Sequence, residues 1–521
     1  MRTFDDSLAA LASVLQAHAP KLAGDERVRL SDVCQDSRDV RPGALFVVRA
    51  GDRAHGARFV AAAERAGAVA LLGQRGDGEF ARLLSPLPKL CVDDLELALA
   101  RAAHWVHGEP SRKLRVIGIT GTNGKTTTAA LVRQCLEQYG YRCASIGTLG
   151  YQFGEQCLSI GMTTPMADSV ARWLARAAAS GATHCVMEVS SHALAQRRVD
   201  GVQFDVAAFC NLTRDHLDFH QTEQRYAEAK ARLFEEFRPP TAVVNLDDEF
   251  GRQLAARLES DAEGTTNAVE TMDPVKTTMR VIGVGSAVGA QVRCLELASS
   301  RRGMRLAVNV CGDQLRFETT LVGGHNADNW LLTIGILAGL GLSTASLPAW
   351  SRHILAAPGR LSRCERDGDD ISVLVDYAHT PDALERVLVA CRELRPRRLI
   401  CVFGCGGDRD ATKRPLMGED AGRLADESVL TNDNPRSEPP ERIVAEIEVG
   451  VVQAGGAFQV CLDRAEAITQ AIVRALPGDL VLIAGKGHED YQIIGDQRFE
   501  FDDRQVAHQA LVQRRAAPGA L

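Results

Sequence analysis

Residues Gly118 to Thr128 read Gly-Ile-Thr-Gly-Thr-Asn-Gly-Lys-Thr-Thr-Thr, and the chemistry they suit is phosphate capture. A short β-type run, Arg115 to Ile119, feeds a glycine-rich turn that opens a helical pattern over Thr126 to Gln138. Gly121 and Gly124 let backbone N–H groups approach an anion closely. Lys125 adds a point charge for the outer phosphates, and the Thr126 hydroxyl is placed to ligate Mg²⁺. The standard pattern G-x-x-x-x-G-K-[ST] would need glycine at Ile119, so a glycine turn with an incidental lysine is the plainer alternative. Packing needs alone give no reason for Gly-Lys-Thr-Thr at a helix start. The stretch therefore points to an enzyme that uses the phosphates of ATP.

Other residues could serve such chemistry. Glu188 closes the strand pattern His184 to Glu188, where a carboxylate can hold Mg²⁺ or merely cap the next helix. Asn211 to His220 packs two acids and two histidines, His216 among them, into a short turn. Lys230 sits in an amphipathic helical run, Tyr226 to Phe234, and its composition reads as a surface lysine. An ammonium cannot bind Mg²⁺; only reaction with CO₂, giving a carbamate, would make it an oxygen ligand. Three further loops follow strand patterns near the C-terminus: Phe403 to Asp410, Thr431 to Glu438 and Ala484 to Asp490. In a parallel sheet such loops converge on one edge, which would gather Arg409, Arg436, Asp433 and Glu489. Guanidinium groups grip carboxylates at two points and acids pair with ammonium groups, so a site holding both signs suits an amino acid.

These residues need elements to hold them. The chain has 521 residues, a length that suggests roughly three or four domains. Its 45% hydrophobic content is that of a globular protein, and its net charge of −7 argues against a nucleic-acid surface. Short strands and helices alternate over residues 1–110, which we take as a first domain. The second, 111–345, reads as a parallel sheet with helical crossovers and an antiparallel annex, a hairpin from Arg305 to Leu321. The third, 346–521, reads as a doubly wound, Rossmann-like α/β domain with strands near Ile371, Leu399, Ser428 and Leu480. The 14 cysteines lie singly and read as free thiols of a reducing compartment. The longest apolar stretch, Trp330 to Leu342, falls short of the roughly 18 residues of a membrane span, and the acidic start is unlike a signal peptide. A cytoplasmic monomer with small-molecule substrates, without nucleic acid or membrane insertion, is expected.

Taken together the blocks resemble the Mur ligase family. The phosphate loop with its extra threonine, Glu188-Val189-Ser190-Ser191-His192, the run Asn211 to Asp218 and the helix holding Lys230 all fit. So do Gly323 to Asn329, Pro358-Gly359-Arg360 and Asp376-Tyr377-Ala378-His379-Thr380, in family order along nearly the whole chain. Within the family, Asp433-Asn434-Pro435-Arg436 is similar to the signature of members that add meso-diaminopimelate.

The resemblance implies an ATP-driven amide ligation in peptidoglycan precursor synthesis. It places ATP on Gly121, Thr122, Asn123, Gly124, Lys125, Thr126 and Thr127, with Asn326, Arg360 and Asp376. It implies Mg²⁺ held by Thr126 and Glu188, and by Glu188, His216 and a carbamate on Lys230, with Lys125 as a further catalytic group. A UDP-linked muramoyl dipeptide would lie on Gln35, Ser37, Asp52, Arg53, Ala54, Thr163, Thr164, Ser190, Gln196 and Arg198. Diaminopimelate would lie among Arg409, Asp433, Asn434, Pro435, Arg436, Gly485 and Glu489. With ATP ligands and amino-acid loops on different domains, the third is expected to close onto the second. The sequence departs from the family at His325, where phenylalanine is frequent, at Gln221, where glycine is common, and at Ser362, near which an acid is expected. Two other readings compete. A folylpolyglutamate synthase-like ligase leaves residues 1 to 108 unexplained, and a nucleotide-binding switch would make Asp-Asn-Pro-Arg mere turn chemistry.

Overall fold

Strand burial dictates the architecture. The strands Arg115–Thr120, Cys143–Gly147, His184–Glu188, Val206–Phe209 and Thr241–Asn245 are buried along almost their whole length. Both faces of such strands must be covered, as in a parallel sheet between helices. The computed structural model describes residues 6–18, 20–51, 54–266, 279–366 and 368–516. It is a three-domain α/β protein built on three main sheets. By compactness it divides into Met1–Gln291 with Leu332–Leu342, and Val292–Leu331 with Ser343–Leu521.

In the first unit, a five-stranded sheet runs Lys21–Ala23, Lys89–Val92, Ala68–Gln74, Ala44–Val48, Asp32–Cys34; only its first pair is antiparallel. The next sheet runs Arg280–Gly285, Thr241–Asn245, Val206–Phe209, Arg115–Thr120, His184–Glu188, Cys143–Gly147, all parallel. Two antiparallel strands, Gly150–Phe153 and Gln156–Leu158, follow. Arg115–Thr120 is central, so the phosphate loop emerges at the carboxyl edge between the loops after Glu188 and Phe209. That is where an open α/β sheet offers a crevice.

In the second unit the expected hairpin is Gly303–Val310 with Asp313–Thr319, and it turns through Cys311 and Gly312 alone. Both turn residues have positive φ, 52° and 108°, as a tight type I′ turn requires. A third strand, Val292–Ser300, pairs with it. The sheet that follows runs Ser372–Asp376, Leu480–Ala484, Leu399–Phe403, Glu427–Leu430, Phe458–Val460, all parallel, with short Ser362–Arg363 antiparallel at the edge. Successive side chains enter opposite cores. Leu374, Cys401 and Leu482 pack with Leu388 and Ile447 on one face; Val373, Val402 and Ile483 pack with Ile468 and Leu511 on the other. All 14 cysteines are free, and no helix among the described residues is long and apolar enough to cross a membrane.

Candidate active site

The phosphate loop is shaped by two glycines at positive φ. Gly121 has φ 151°, and a Cβ there would stand 2.7 Å from Cys210 Cβ. Gly124, at φ 87°, precedes the helix Lys125–Gln138, which begins with no side-chain cap and no acid in its first turn. A helix start without a side-chain cap is a favourable place for an anion. The loop is sewn to the next strand end: Thr122 N donates to Asn211 O (2.9 Å), Asn123 N to Asn211 Oδ1 (2.9 Å), and Thr213 N to Thr122 Oγ1 (3.0 Å). Lys125 Nζ donates to the carbonyls of Gly121 (2.8 Å) and Thr122 (2.9 Å). Thr127 is buried beneath the loop.

Glu188, 2% exposed, anchors the neighbouring strand end. Its carboxylate accepts from Thr126 Oγ1 (2.9 Å), Thr148 N (2.7 Å) and Thr148 Oγ1 (3.1 Å). Thr148 continues to Thr163 (3.1 Å); Thr164 Oγ1 donates to Glu188 O (2.8 Å) and accepts from Ser190 N (3.0 Å). Arg198 then joins Thr164 O (2.8 Å) to Gln196 Oε1 (3.0 Å). Burial, and next the charge of Arg49, holds the Arg198 guanidinium below its ordinary pKa. Arg49 in turn donates to Gln35 Oε1 (2.9 Å), whose amide donates to Asp168 (2.7 Å). One polar chain thus runs from the phosphate loop to Arg198 and a separate one joins Arg49, Gln35 and Asp168; the two arginines repel rather than bond. Ser37 and Ala54 are half-buried; Asp52 and Arg53 lie outside the described residues.

Lys230 corrects the surface-lysine expectation. It is 1% exposed, its Nζ lies 4.3 Å over the Tyr226 ring, and it forms no ion pair with an acid among the described residues. Burial, then repulsion from Lys125, drives its pKa well down, so its amine is readily neutral. His216, at φ 53°, stands edge-on to His192 (4.7 Å) and near Tyr226 (6.2 Å). The departure at Gln221 carries φ 69°, a strained value for a non-glycine residue.

A phosphate-bound divalent cation fits this donor set. Thr126 and Glu188 offer hard oxygens side by side, Asn123 Nδ2 and Thr213 Oγ1 are buried without a protein partner, and Lys230 presents an amine open to CO₂. Among the described residues no group of three His, Cys, Asp or Glu stands ready to hold a metal unaided. Further oxygens would come from phosphates, water or a carbamate.

In the second unit, Asp376 accepts from Leu361 N (2.7 Å) and Ala378 N (2.9 Å), and burial raises its pKa against the pull of Arg360. Arg360 lies 4.9 Å over Tyr377 with its Nε buried and unpaired. A Cβ on Gly359 would stand 2.2 Å from the backbone of Gly487, so this turn abuts the loop after Ala484. Asn326 is occupied internally: its amide donates to Val322 O (2.7 Å) and its carbonyl accepts from Asn329 (2.9 Å). The His325 departure lies exposed in the first turn of the helix Gly324–Gly339. Ser362, the other departure, accepts from Gly359 N (2.8 Å) and pins the turn.

The three expected loops do meet, because Leu480–Ala484, Leu399–Phe403 and Glu427–Leu430 are neighbouring strands. Asn434 Nδ2 donates to Glu489 Oε2 (3.0 Å), and Asp433 Oδ2 is 3.7 Å from the Cβ position of Gly485. Pro435 O would lie 1.9 Å from a Cβ on Gly407. Arg436 Nη1 donates to Gly407 O (2.7 Å); it and Arg409 Cγ flank Gly406 at 3.0 and 3.7 Å from its Cβ position. Arg409 is exposed. Sequence reasoning missed Thr148 and Arg49, which carry no motif, and Lys486, which hides between glycines.

Three family models cover most of the chain: "Mur ligase family, catalytic domain" over residues 30–103, "Mur ligase middle domain" over 119–337 and "Mur ligase, glutamate ligase domain" over 359–487. The chain is 42% identical over 489 residues to UDP-N-acetylmuramoyl-L-alanyl-D-glutamate–2,6-diaminopimelate ligase of Thermosynechococcus vestitus, covering 93% of each chain. It is 43% identical to the protein of that name in Xanthomonas oryzae pv. oryzae, covering 95% of this chain and 96% of the other. A solved structure of a ligase of that name matches at TM-score 0.68 and 32% identity, over 95% of this chain and 97% of that one.

Proposed function

Because this chain belongs to the Mur ligase family, we propose that it joins meso-diaminopimelate to UDP-N-acetylmuramoyl-L-alanyl-D-glutamate at the expense of ATP. Domains 1–110, 111–345 and 346–521 would take the uridine end, ATP and the amino acid. The observation that carries the amino-acid assignment is the meeting of Asp433, Asn434, Arg436 and Glu489 at adjacent strand ends, with both charges present.

A carboxylate resists attack by an amine until it is phosphorylated. The γ-phosphoryl group of ATP moves to one oxygen of the free carboxylate. The amine nitrogen then attacks the carbonyl carbon, the bond from that carbon to the bridging oxygen breaks, and inorganic phosphate leaves as the nitrogen loses its proton. Phosphoryl transfer needs positioning and cancellation of charge more than covalent help. The glycine turn and the uncapped helix start hold the phosphates, and Lys125 places its charge beside them. Mg²⁺ would be held by Thr126, Glu188, His216 and the Lys230 carbamate, and supplies further charge cancellation when bound. The neutral, buried Lys230 amine is the form that adds CO₂. Thr163, Thr164, Ser190, Gln196 and Arg198, with Gln35 and Ser37, orient the UDP-linked substrate; Arg360 and Asp376 would contact the nucleotide. Diaminopimelate carboxylates fall to Arg409 and Arg436, and its ammonium groups to Asp433 and Glu489. The use of ATP and a UDP-linked precursor fits a cytoplasmic enzyme.

The test is phosphate release from ATP with each substrate supplied alone and together. Release only when UDP-dipeptide and diaminopimelate are both present supports the ligase. Release without either would make the chain an ATPase or switch.

A further inference from the structure

Lys486 lies in the amino-acid loops, and no role is assigned to it above. Its side chain is 0% exposed, so it cannot touch a ligand itself. Its ammonium instead reaches three acceptors on two loops: Glu489 Oε2 (3.2 Å), Asn434 Oδ1 (3.2 Å) and Asp433 Oδ1 (3.4 Å). The Tyr491 ring lies 5.3 Å away. Two of the three acceptors have a second tie. Asn434 Oδ1 also accepts from Ile493 N (2.9 Å), and Glu489 Oε2 from Asn434 Nδ2 (3.0 Å). The backbone beneath is propped by Arg464, which donates to Asn432 O (3.1 Å) and Ala484 O (2.9 Å) while paired with buried Asp503 (2.8 Å).

We propose that Lys486 is a positioning and specificity-determining residue, which aims one oxygen each of Asp433 and Glu489 at the amino acid and sets the net charge of its pocket. The inference rests on the reading that diaminopimelate binds among these loops. Binding Oε2 and Oδ1 from behind leaves Glu489 Oε1 and Asp433 Oδ2 to face an ammonium. On the side of the pocket that faces the ammonium groups, apart from the two arginines, two carboxylates and one ammonium leave a single net negative charge. That balance suits an amino acid with as many carboxylates as ammonium groups, since the two arginines take the carboxylates. Without Lys486 the acids would repel each other and present two charges, which favours a more cationic amino acid.

The test uses full-length Lys486→Met, which keeps length and apolar bulk while removing the charge, assayed with UDP-dipeptide, ATP and a panel of meso-diaminopimelate, L-lysine and L-ornithine. The diaminopimelate KM should rise about thirtyfold, as for loss of one partner in a buried charge set, with the ATP KM within about twofold. The preference for diaminopimelate over L-lysine should shrink. Glu489→Gln restores the charge count. Lys486→Met/Glu489→Gln should therefore show a diaminopimelate KM no higher than Glu489→Gln alone, whereas a merely structural role makes the two effects multiply. If Lys486→Met does not fold well enough to assay, this double variant against Glu489→Gln decides. An unchanged diaminopimelate KM, an equal rise in the ATP KM, or multiplicative effects overturn the proposal. Arg436→Ala in the same assay separates the two levels. If it too leaves the diaminopimelate KM unchanged, the site reading itself fails; if only Lys486→Met is silent, the site stands and the role of Lys486 does not.

Discussion

The phosphate loop and the amino-acid loops solve the problem of holding a charged ligand in different ways. Around Gly121 and Gly124 the binding groups are backbone: positive φ values that favour glycine, an uncapped helix start and carbonyls satisfied by Lys125. Around Asp433 and Glu489 they are side chains, fixed by a buried ammonium and by the order of three strands. A backbone site is specified by local sequence, because glycine placement and helix start lie within a few residues. A side-chain site made of distant loops is specified by topology, and its parts gain meaning only when the sheet is assembled.

The comparison can be broken at its most demanding point. Lys230→Ala should lower kcat about a thousandfold, the scale of losing a preorganised charged group, and a short carboxylic acid should restore part of it. Full activity without rescue would return Lys230 to a plain buried lysine. Gly121→Ala tests the backbone half. The added Cβ meets Cys210 at 2.7 Å, so kcat/KM for ATP should fall about a hundredfold while the diaminopimelate KM holds. A mild effect would mean that the loop adapts and the glycine is incidental. Arg436→Lys tests the other half, and the diaminopimelate KM should rise about thirtyfold, on the order of 2 kcal/mol, because an ammonium cannot reproduce a two-point grip.

A smaller effect sharpens the contrast, since not every buried ionisable group serves a site. His104 is 1% exposed, neither ring nitrogen has a partner, and burial lowers its pKa to about 3. The unfolded chain takes up this proton near 6.5, the ordinary value of a histidine, so stability is intact above that pH and declines as pH falls toward 3. His104→Leu should remove part of that decline, on the order of a few kcal/mol, measured as apparent melting temperature against pH. A parallel pH profile for both proteins would count against it.

Much of the site was legible in the residues, and the failures have physical causes. Gly121, Gly124, Lys125 and Thr126 announce themselves because their spacing has no packing use. Lys230 was misread from its surroundings, since the helix Glu223–Glu235 looks amphipathic, yet this lysine faces inward beneath Tyr226. Asn326 carries a family position but spends both polar groups within its own helix start. The strands Val292–Ser300 and Gln497–Glu500 escaped because they are largely exposed and lack an apolar alternation. Lys486 escaped because two of its three partners, some fifty residues away, are brought to it by tertiary structure.

The central claim is that ATP is consumed to make a carboxylate reactive. UDP-dipeptide carrying oxygen-18 in its free carboxylate, turned over with ATP and diaminopimelate, tests it directly. One labelled oxygen should appear in the inorganic phosphate and the other should stay in the new amide. Phosphate free of label, formed alongside the amide, would contradict the account.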